Sequence, residues 1–220
     1  MLDVGHTGLE SGAVSARGVP EYDFNLWLAR RIEARLLEAG FAKTELLVMA
    51  GPNRESLPKR AARANAMRAD LFVSIHHDSV PEFLIEKWEY EGAEGRHSDR
   101  FKGHAIFISK DNGRARQSLA FARLLGRQLR AAGLHYTPHY TEPLMGRQRR
   151  VLVDRAAGVY RFDQLIVLKE ARMPAVLFEA GSIIHRDEEL AMSSAGRQSI
   201  IATAMAEAVE AFCASRRLRS

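Results

Sequence analysis

The chain has one cysteine, no long apolar run and no basic block. A single cysteine among 220 residues, Cys213, excludes a disulfide framework and a thiolate zinc cage. It lies in an apolar C-terminal stretch, where a packed thiol is expected rather than a nucleophile. No segment approaches the roughly 18 consecutive apolar residues of a membrane-spanning helix, so no transmembrane segment is expected. There is no Lys/Arg tract and no alternation of aromatic with basic residues, so nucleic acid is not an expected partner. Internal repeats and low-complexity tracts are also missing. So are the charged, apolar and small-residue regions of a secretory leader. The chain opens almost inside a strand, at Met1-Leu2-Asp3-Val4, which leads us to expect a leader or a further domain upstream.

What is present is the composition of a folded domain: 46% hydrophobic and 27% charged residues. A length of 220 residues fits one domain, and a monomer is expected. The formal charge of +5 suits anionic surroundings such as a cell wall.

Apolar runs alternate with amphipathic stretches. Strands are expected at 1–4, 46–49, 71–75 and 105–108, with short apolar runs at 165–168 and 175–178. Helices are expected over 21–39, 57–67 (with Ser56 as cap), 117–132 and about 199–214. In the first helix Phe24, Leu28, Ile32, Leu36 and Leu37 share a face, and Gly40 ends it. This alternation predicts an α/β fold, a single domain over 1–220 with a twisted, mostly parallel β-sheet and helices on both faces. Two segments, 79–103 and 134–163, exceed what a minimal sheet needs and read as inserts that form loops.

Ligand sites in such sheets lie beyond the carboxyl ends of the strands. His6 follows the first strand there, His76-His77-Asp78 the third, and Glu179 the run Val176-Leu177-Phe178. His6, Glu21 and His76, spaced by 15 and 55 residues, form a two-imidazole, one-carboxylate set of the kind that binds catalytic zinc. Taken alone, the same residues also fit a first-turn acid that favours the helix dipole, a turn histidine and a packed histidine.

The surrounding sequence separates these readings. Asp3-Val4-Gly5-His6-Thr7-Gly8, Gly12-Ala13, Gly18 and Glu21 resemble the opening of the N-acetylmuramoyl-L-alanine amidases of the Amidase_3 type. The resemblance continues through Arg60, Arg63-Ala64-Asn65 and the block Ala69-Asp70-Leu71-Phe72-Val73-Ser74-Ile75-His76. It closes with Val167-Leu168-Lys169, Pro174-Ala175-Val176-Leu177-Phe178-Glu179 and Gly181. It spans nearly the whole chain, in order. The chain departs from the family pattern at Val4, Thr7 and Lys169, and at Ser182-Ile183-Ile184-His185.

The resemblance implies a zinc-exopeptidase/phosphorylase-hydrolase-like fold. It implies one Zn2+ held by His6, Glu21 and His76, with Glu179 as the catalytic acid–base and His77 not a ligand. The implied reaction cleaves the amide between N-acetylmuramic acid and L-alanine of the peptidoglycan stem peptide. The implied setting is the periplasm or cell wall, with peptidoglycan and an activator protein as partners and cell division as one process served. Two other readings remain: a degenerate wall-binding module, and a zinc amide hydrolase acting on a small acyl-amino acid. Asp3 is a candidate to hold the outer N–H of a ligand histidine or to cap a loop. Glu82, Glu86 and Glu142 are candidates to reach the metal as a lid. Arg147, Arg149 and Arg150 are candidates to line a groove and meet stem-peptide carboxylates.

Overall fold

The computed structural model describes residues 1–217. Nine strands are described: β1 (Leu2–Val4), β2 (Leu46–Leu47), β3 (Phe72–Asp78), β4 (Glu86–Tyr90), β5 (Ala93–His97), β6 (Ala105–Ile108), β7 (Val151–Asp154), β8 (Val159–Arg161) and β9 (Ala175–Ser182). The helices are α1 (Glu21–Glu38), α2 (Asn53–Ala66), α3 (Ala115–Ala131), α4 (Ile166–Lys169), α5 (Arg186–Ser193) and α6 (Ala195–Arg217). Seven strands form one sheet in the order β2-β1-β3-β9-β6-β8-β7, and β4 and β5 pair as a separate hairpin. Only the β6–β9 and β7–β8 pairs in the large sheet are antiparallel. The fold is thus the single-domain, mostly parallel α/β architecture the alternation predicts.

Period-two alternation places a core on each face of this sheet. Val73 and Ile75 of β3, Ile106 and Ile108 of β6, and Val176 and Phe178 of β9 pack with residues of α1, α3 and α6. Their neighbours Phe72, Ala105, Phe107, Ala175 and Leu177 face the other way, with Ala64 of α2 and Val167 and Leu168 of α4. Continuing the alternation along β3 and β9 puts His76 and Glu179 on the α2 face and His77 on the α1 face. His76 and Glu179 are register partners on adjacent parallel strands. The sheet alone therefore separates the two consecutive histidines.

α1 buries Phe24, Leu28, Ile32 and Leu36, while Leu37 is exposed, contrary to its expected place on the core face. The helix ends where the sequence indicates. Gly40 adopts φ 88°, its N–H bonds the Leu37 carbonyl, and the Phe41 N–H bonds the Leu36 carbonyl. That is the paired C-terminal hydrogen-bond pattern that satisfies two orphan carbonyls.

α2 begins earlier than expected, at Asn53, and Ser56 lies inside it rather than capping it. Its N-terminal donor is satisfied from a distant loop, by Glu10 Oε2 accepting from the Asn53 N–H at 2.7 Å. Pro58 sits within the helix. The segment expected as a loop over 134–163 contributes β7 and β8 to the large sheet. Tyr160 of β8 is fully buried, and its hydroxyl donates to the Thr137 carbonyl at 2.6 Å. The segment over 79–103 folds as the β4–β5 hairpin. Trp88 anchors it by donating from Nε1 to the Ala16 carbonyl at 3.1 Å, and the Arg17 and Arg186 guanidiniums stand over its ring at 5.3 and 5.2 Å.

Candidate metal centre

After β1, at the start of α1 and near the carboxyl end of β3, the chain gathers His6, Glu21 and His76, whose ligand atoms all lie within 4.8 Å of one another. Glu21 opens α1 and is buried, and its two oxygens are divided between the histidines. His6 Nε2 is 3.1 Å from Oε2, and His76 Nδ1 is 3.0 Å from Oε1. The two imidazoles meet edge to face with centroids 5.0 Å apart. Burial by itself would raise the Glu21 carboxyl, but hydrogen bonds and charge from His6 and His76 outweigh it and hold it well below the usual range.

Each donor is held by neighbours. His6 adopts φ 64°, uncommon for a residue with a Cβ. Its Nδ1 lies 3.2 Å from the Asn53 side-chain amide, and its carbonyl accepts from Arg60. Glu21 Oε1 accepts from Asn25 Nδ2 at 3.2 Å, and Oε2 accepts from the Ala13 N–H at 3.0 Å. His77 turns away, into the core: its Nδ1–H donates to Asn25 Oδ1 at 2.8 Å and its ring packs on Phe24. Burial lowers the His77 imidazole to about 3, so it stays neutral.

Two glycines make room for the donors. A Cβ at Gly5 would run into the His76 ring, and one at Gly12 would run into Glu21 and His6. Gly12 also holds φ 80°, where a side chain is strained. Gly12→Ala is expected to lower metal affinity at least tenfold, while Gly8→Ala, which meets nothing within 4 Å, leaves it at the wild-type value. Titration with a zinc-competing chelator checks both.

A cleft of about 350 Å³ opens over the cluster. His6, Glu21, His76, Asp78, Glu179, Tyr140, His139, Arg150 and Phe162 are among the residues that line it. Glu179 is partly buried, and its Oε2 is enclosed without a hydrogen-bond partner. Burial, then the charges of Asp78 and Glu21, push its carboxyl well above the usual range. Asp78 is also pushed up, to about 7, chiefly by burial. Its Oδ1 accepts from the Tyr140 hydroxyl at 2.9 Å and the Ser79 N–H at 2.8 Å, and its Oδ2 has no partner. Three acids thus share a cleft in which Arg150 is the one Lys or Arg. That charge imbalance, together with a compact two-imidazole, one-carboxylate donor set, fits a divalent cation.

Three sequence expectations are corrected here. Asp3 holds no histidine: it faces α2, where Oδ1 accepts from Arg60 at 2.6 Å and Oδ2 from Ser74 at 2.7 Å. Neither insert supplies a lid carboxylate, since the donor cluster among the described residues contains only His6, Glu21 and His76. Glu82 is exposed and paired with Arg96, Glu86 is exposed, and Glu142 does not line the cleft. Arg147 and Arg149 are exposed and also lie outside the cleft lining. Asn25, Asn53, Tyr140 and His139 were not legible as site residues. Asn25 had a signal, four residues after Glu21 on the same helix face.

The departures from the family pattern have local partners. Thr7 is buried, donates from Oγ1 to the Gly51 carbonyl at 2.8 Å and accepts from the Glu10 N–H. His185 caps α5 by accepting from the Asp187 and Glu188 N–H groups. Lys169 is exposed on α4.

Fold and donor set together define the class: an α/β protein with a site suited to one divalent metal. The chain belongs to the N-acetylmuramoyl-L-alanine amidase family, whose model matches residues 1–211. It is 25% identical over 242 residues to the N-acetylmuramoyl-L-alanine amidase AmiC of Escherichia coli, covering 97% of this chain and 52% of that protein. The chain thus spans about half the length of that relative. Among solved structures, the N-acetylmuramyl-L-alanine amidase Ami1 of Mycobacterium smegmatis superposes with a TM-score of 0.72 at 22% identity, covering 97% of this chain and 95% of that one. The CwlD amidase of Clostridioides difficile, solved in complex with the GerS lipoprotein, gives 0.68 at 18% identity, covering 97% of both chains. At these identities the structural likeness speaks for the fold.

Proposed function

We propose that the chain is a zinc-dependent amidase that cleaves the bond between N-acetylmuramic acid and L-alanine of the peptidoglycan stem peptide. The observation that carries this reading is the convergence of His6, Glu21 and His76 in one cleft with Glu179, the register partner of His76. His6, Glu21 and His76 would hold the zinc, which when bound supplies Lewis acidity toward the scissile carbonyl and toward water. Glu179 takes the proton of the attacking water and delivers it to the leaving amine of L-alanine. Burial beside Asp78 and Glu21 raises the proton affinity of this carboxyl. Asn25 and the Ala13 N–H keep Glu21 facing both histidines. Ser79, Val80 and Pro81 from one segment, and Tyr140, Met145 and Phe162 from the other, wall the cleft in which the reacting bond would lie.

Release of free stem peptide from purified peptidoglycan by the zinc-loaded protein tests the reading. Zinc content near zero would return the wall-binding alternative. Release from small acyl-amino acids but not from peptidoglycan would favour the other amide hydrolase. Action in the periplasm or cell wall belongs to the same proposal. So does control by an activator protein, supported by the pairing of the similar CwlD amidase with a lipoprotein.

The assignment of ligands makes a sharper prediction. His76→Ala should bring zinc stoichiometry from about one per chain to near zero, since it removes one of three protein ligands. His77→Ala should keep the stoichiometry and lower thermal stability, because it empties a buried site and strands Asn25 Oδ1. Atomic absorption and a thermal melt on both variants read the two effects.

A further inference from the structure

Arg150 lines the cleft and is held rigidly there. Its backbone N–H donates to the Tyr140 carbonyl at 2.8 Å. Its guanidinium lies over the Phe162 ring, with Cζ 3.7 Å from the centroid. Nη1 is spent on the chain itself, donating to the Arg147 carbonyl at 3.2 Å and the Arg149 carbonyl at 3.0 Å. The opposite edge is not spent. Nε is buried with no acceptor, and Nη2 donates to no acceptor among the described residues. A buried N–H without a partner is costly to maintain. Nη2, unlike Nε, is not closed off from solvent, and it is the guanidinium donor left for a carboxylate oxygen.

The surroundings leave room for a ligand's negative charge at this one place. The other charged groups of the cleft, Glu21, Asp78 and Glu179, are acids clustered toward the donor set. The nearby Tyr140 hydroxyl is committed to Asp78. Phe162 and Phe107 form an apolar wall under the guanidinium, their rings 6.1 Å apart and edge to face, which strengthens a charge-assisted contact by excluding water.

We infer that Arg150 is a specificity determinant: the uncommitted Nη2 of its guanidinium binds a carboxylate of the stem peptide, so the protein prefers peptides in which that group is not amidated. This inference rests on the amidase reading for its substrate. It narrows the three expected groove arginines to one.

The test uses soluble muramoyl peptides whose acidic groups are amidated one position at a time, and the corresponding free peptides. With zinc-loaded wild-type protein, amidation of one particular carboxylate should lower kcat/KM about 10- to 100-fold, the loss of a charge-assisted hydrogen bond. The position whose amidation matters identifies the carboxylate. In Arg150→Gln the ratio of kcat/KM for free acid over amide should collapse toward one. Arg150→Lys, which keeps the charge and loses the rigidly placed Nη2 donor, should restore part of it. Calorimetric titration with the free peptides should show the same preference in wild-type protein and its loss in Arg150→Gln. Equal treatment of free and amidated peptides by the wild type, or an unchanged ratio in Arg150→Gln, overturns the inference and leaves the amidase reading intact. If the wild type hydrolyses no muramoyl peptide, the amidase reading falls. The calorimetric comparison of free and amidated peptides still decides the role of Arg150.

Discussion

Glu179→Gln should keep the fold and the zinc of the wild type and lose about 10²–10⁴ in kcat on a muramoyl peptide, the contribution typical of a positioned acid–base group. The substitution preserves shape, so β9 and its pairing with β3 should survive it. It removes the one capacity the proposed reaction needs, since an amide oxygen does not take up a proton at neutral pH. Glu179 lines the cleft and no hydrogen bond among the described residues engages its carboxylate, whereas Asp78, the other acid there outside the donor set, has Oδ1 engaged by Tyr140 and Ser79. Turnover, zinc content and circular dichroism on the same preparation check the three parts together. A Glu179→Gln protein with wild-type turnover would mean that another group, with Asp78 first in line, carries the proton.

How much of this was legible in the sequence depends on the range of the interaction involved. Local signals performed well. The α1 periodicity and Gly40 placed that helix and its end, and buried-type runs placed β3, β6 and β9. The α/β class followed from their alternation. The convergence of His6, Glu21 and His76 was anticipated from strand ends and a helix start, because a parallel sheet brings such ends to one edge. The preference for His76 over His77 came from the resemblance; alternation along β3 now gives it a physical basis.

Signals that act across the chain were not readable. The start of α2 depends on Glu10, 43 residues away. β8 is three residues long, Val159–Arg161, with too few apolar residues to stand out, and belongs to the sheet because Tyr160 fills a core site. Asp3 read equally as a histidine partner or a loop cap, since sequence does not say which way its side chain points. In β1 that side chain goes to the α2 face, where Ser74 is its register partner. The carboxylates of the inserts looked able to reach the metal only while the inserts were taken as loops. As strands and short turns, they are fixed elsewhere.

Arg60 is the long-range residue with the largest expected effect on stability. It is fully buried in α2, and its guanidinium serves four acceptors: Asp3 Oδ1, Ser56 Oγ, and the carbonyls of Val4 and His6. Asp3 is itself buried, and burial raises its carboxyl more than Arg60 and Ser74 pull it back. Removing Arg60 therefore strands an acid where water cannot reach it. Arg60→Met, which keeps volume and loses the charge, should lower unfolding free energy by about 3–5 kcal/mol, the usual effect of breaking a buried pair from one side. The double variant Asp3→Asn/Arg60→Met should recover part of that loss, because no buried charge remains uncompensated. Urea unfolding of the two variants and the wild type reads both steps. A second consequence ties stability to the site. Arg60 grips the carbonyl of His6, whose φ of 64° costs about 1–3 kcal/mol to hold. Without that grip the first loop is free to relax away from Glu21, so zinc affinity should fall in Arg60→Met and stay low in the double variant, even though the double variant regains stability. If zinc affinity instead recovers in step with stability, Arg60 contributes to the site only through the fold and not by fixing the His6 backbone.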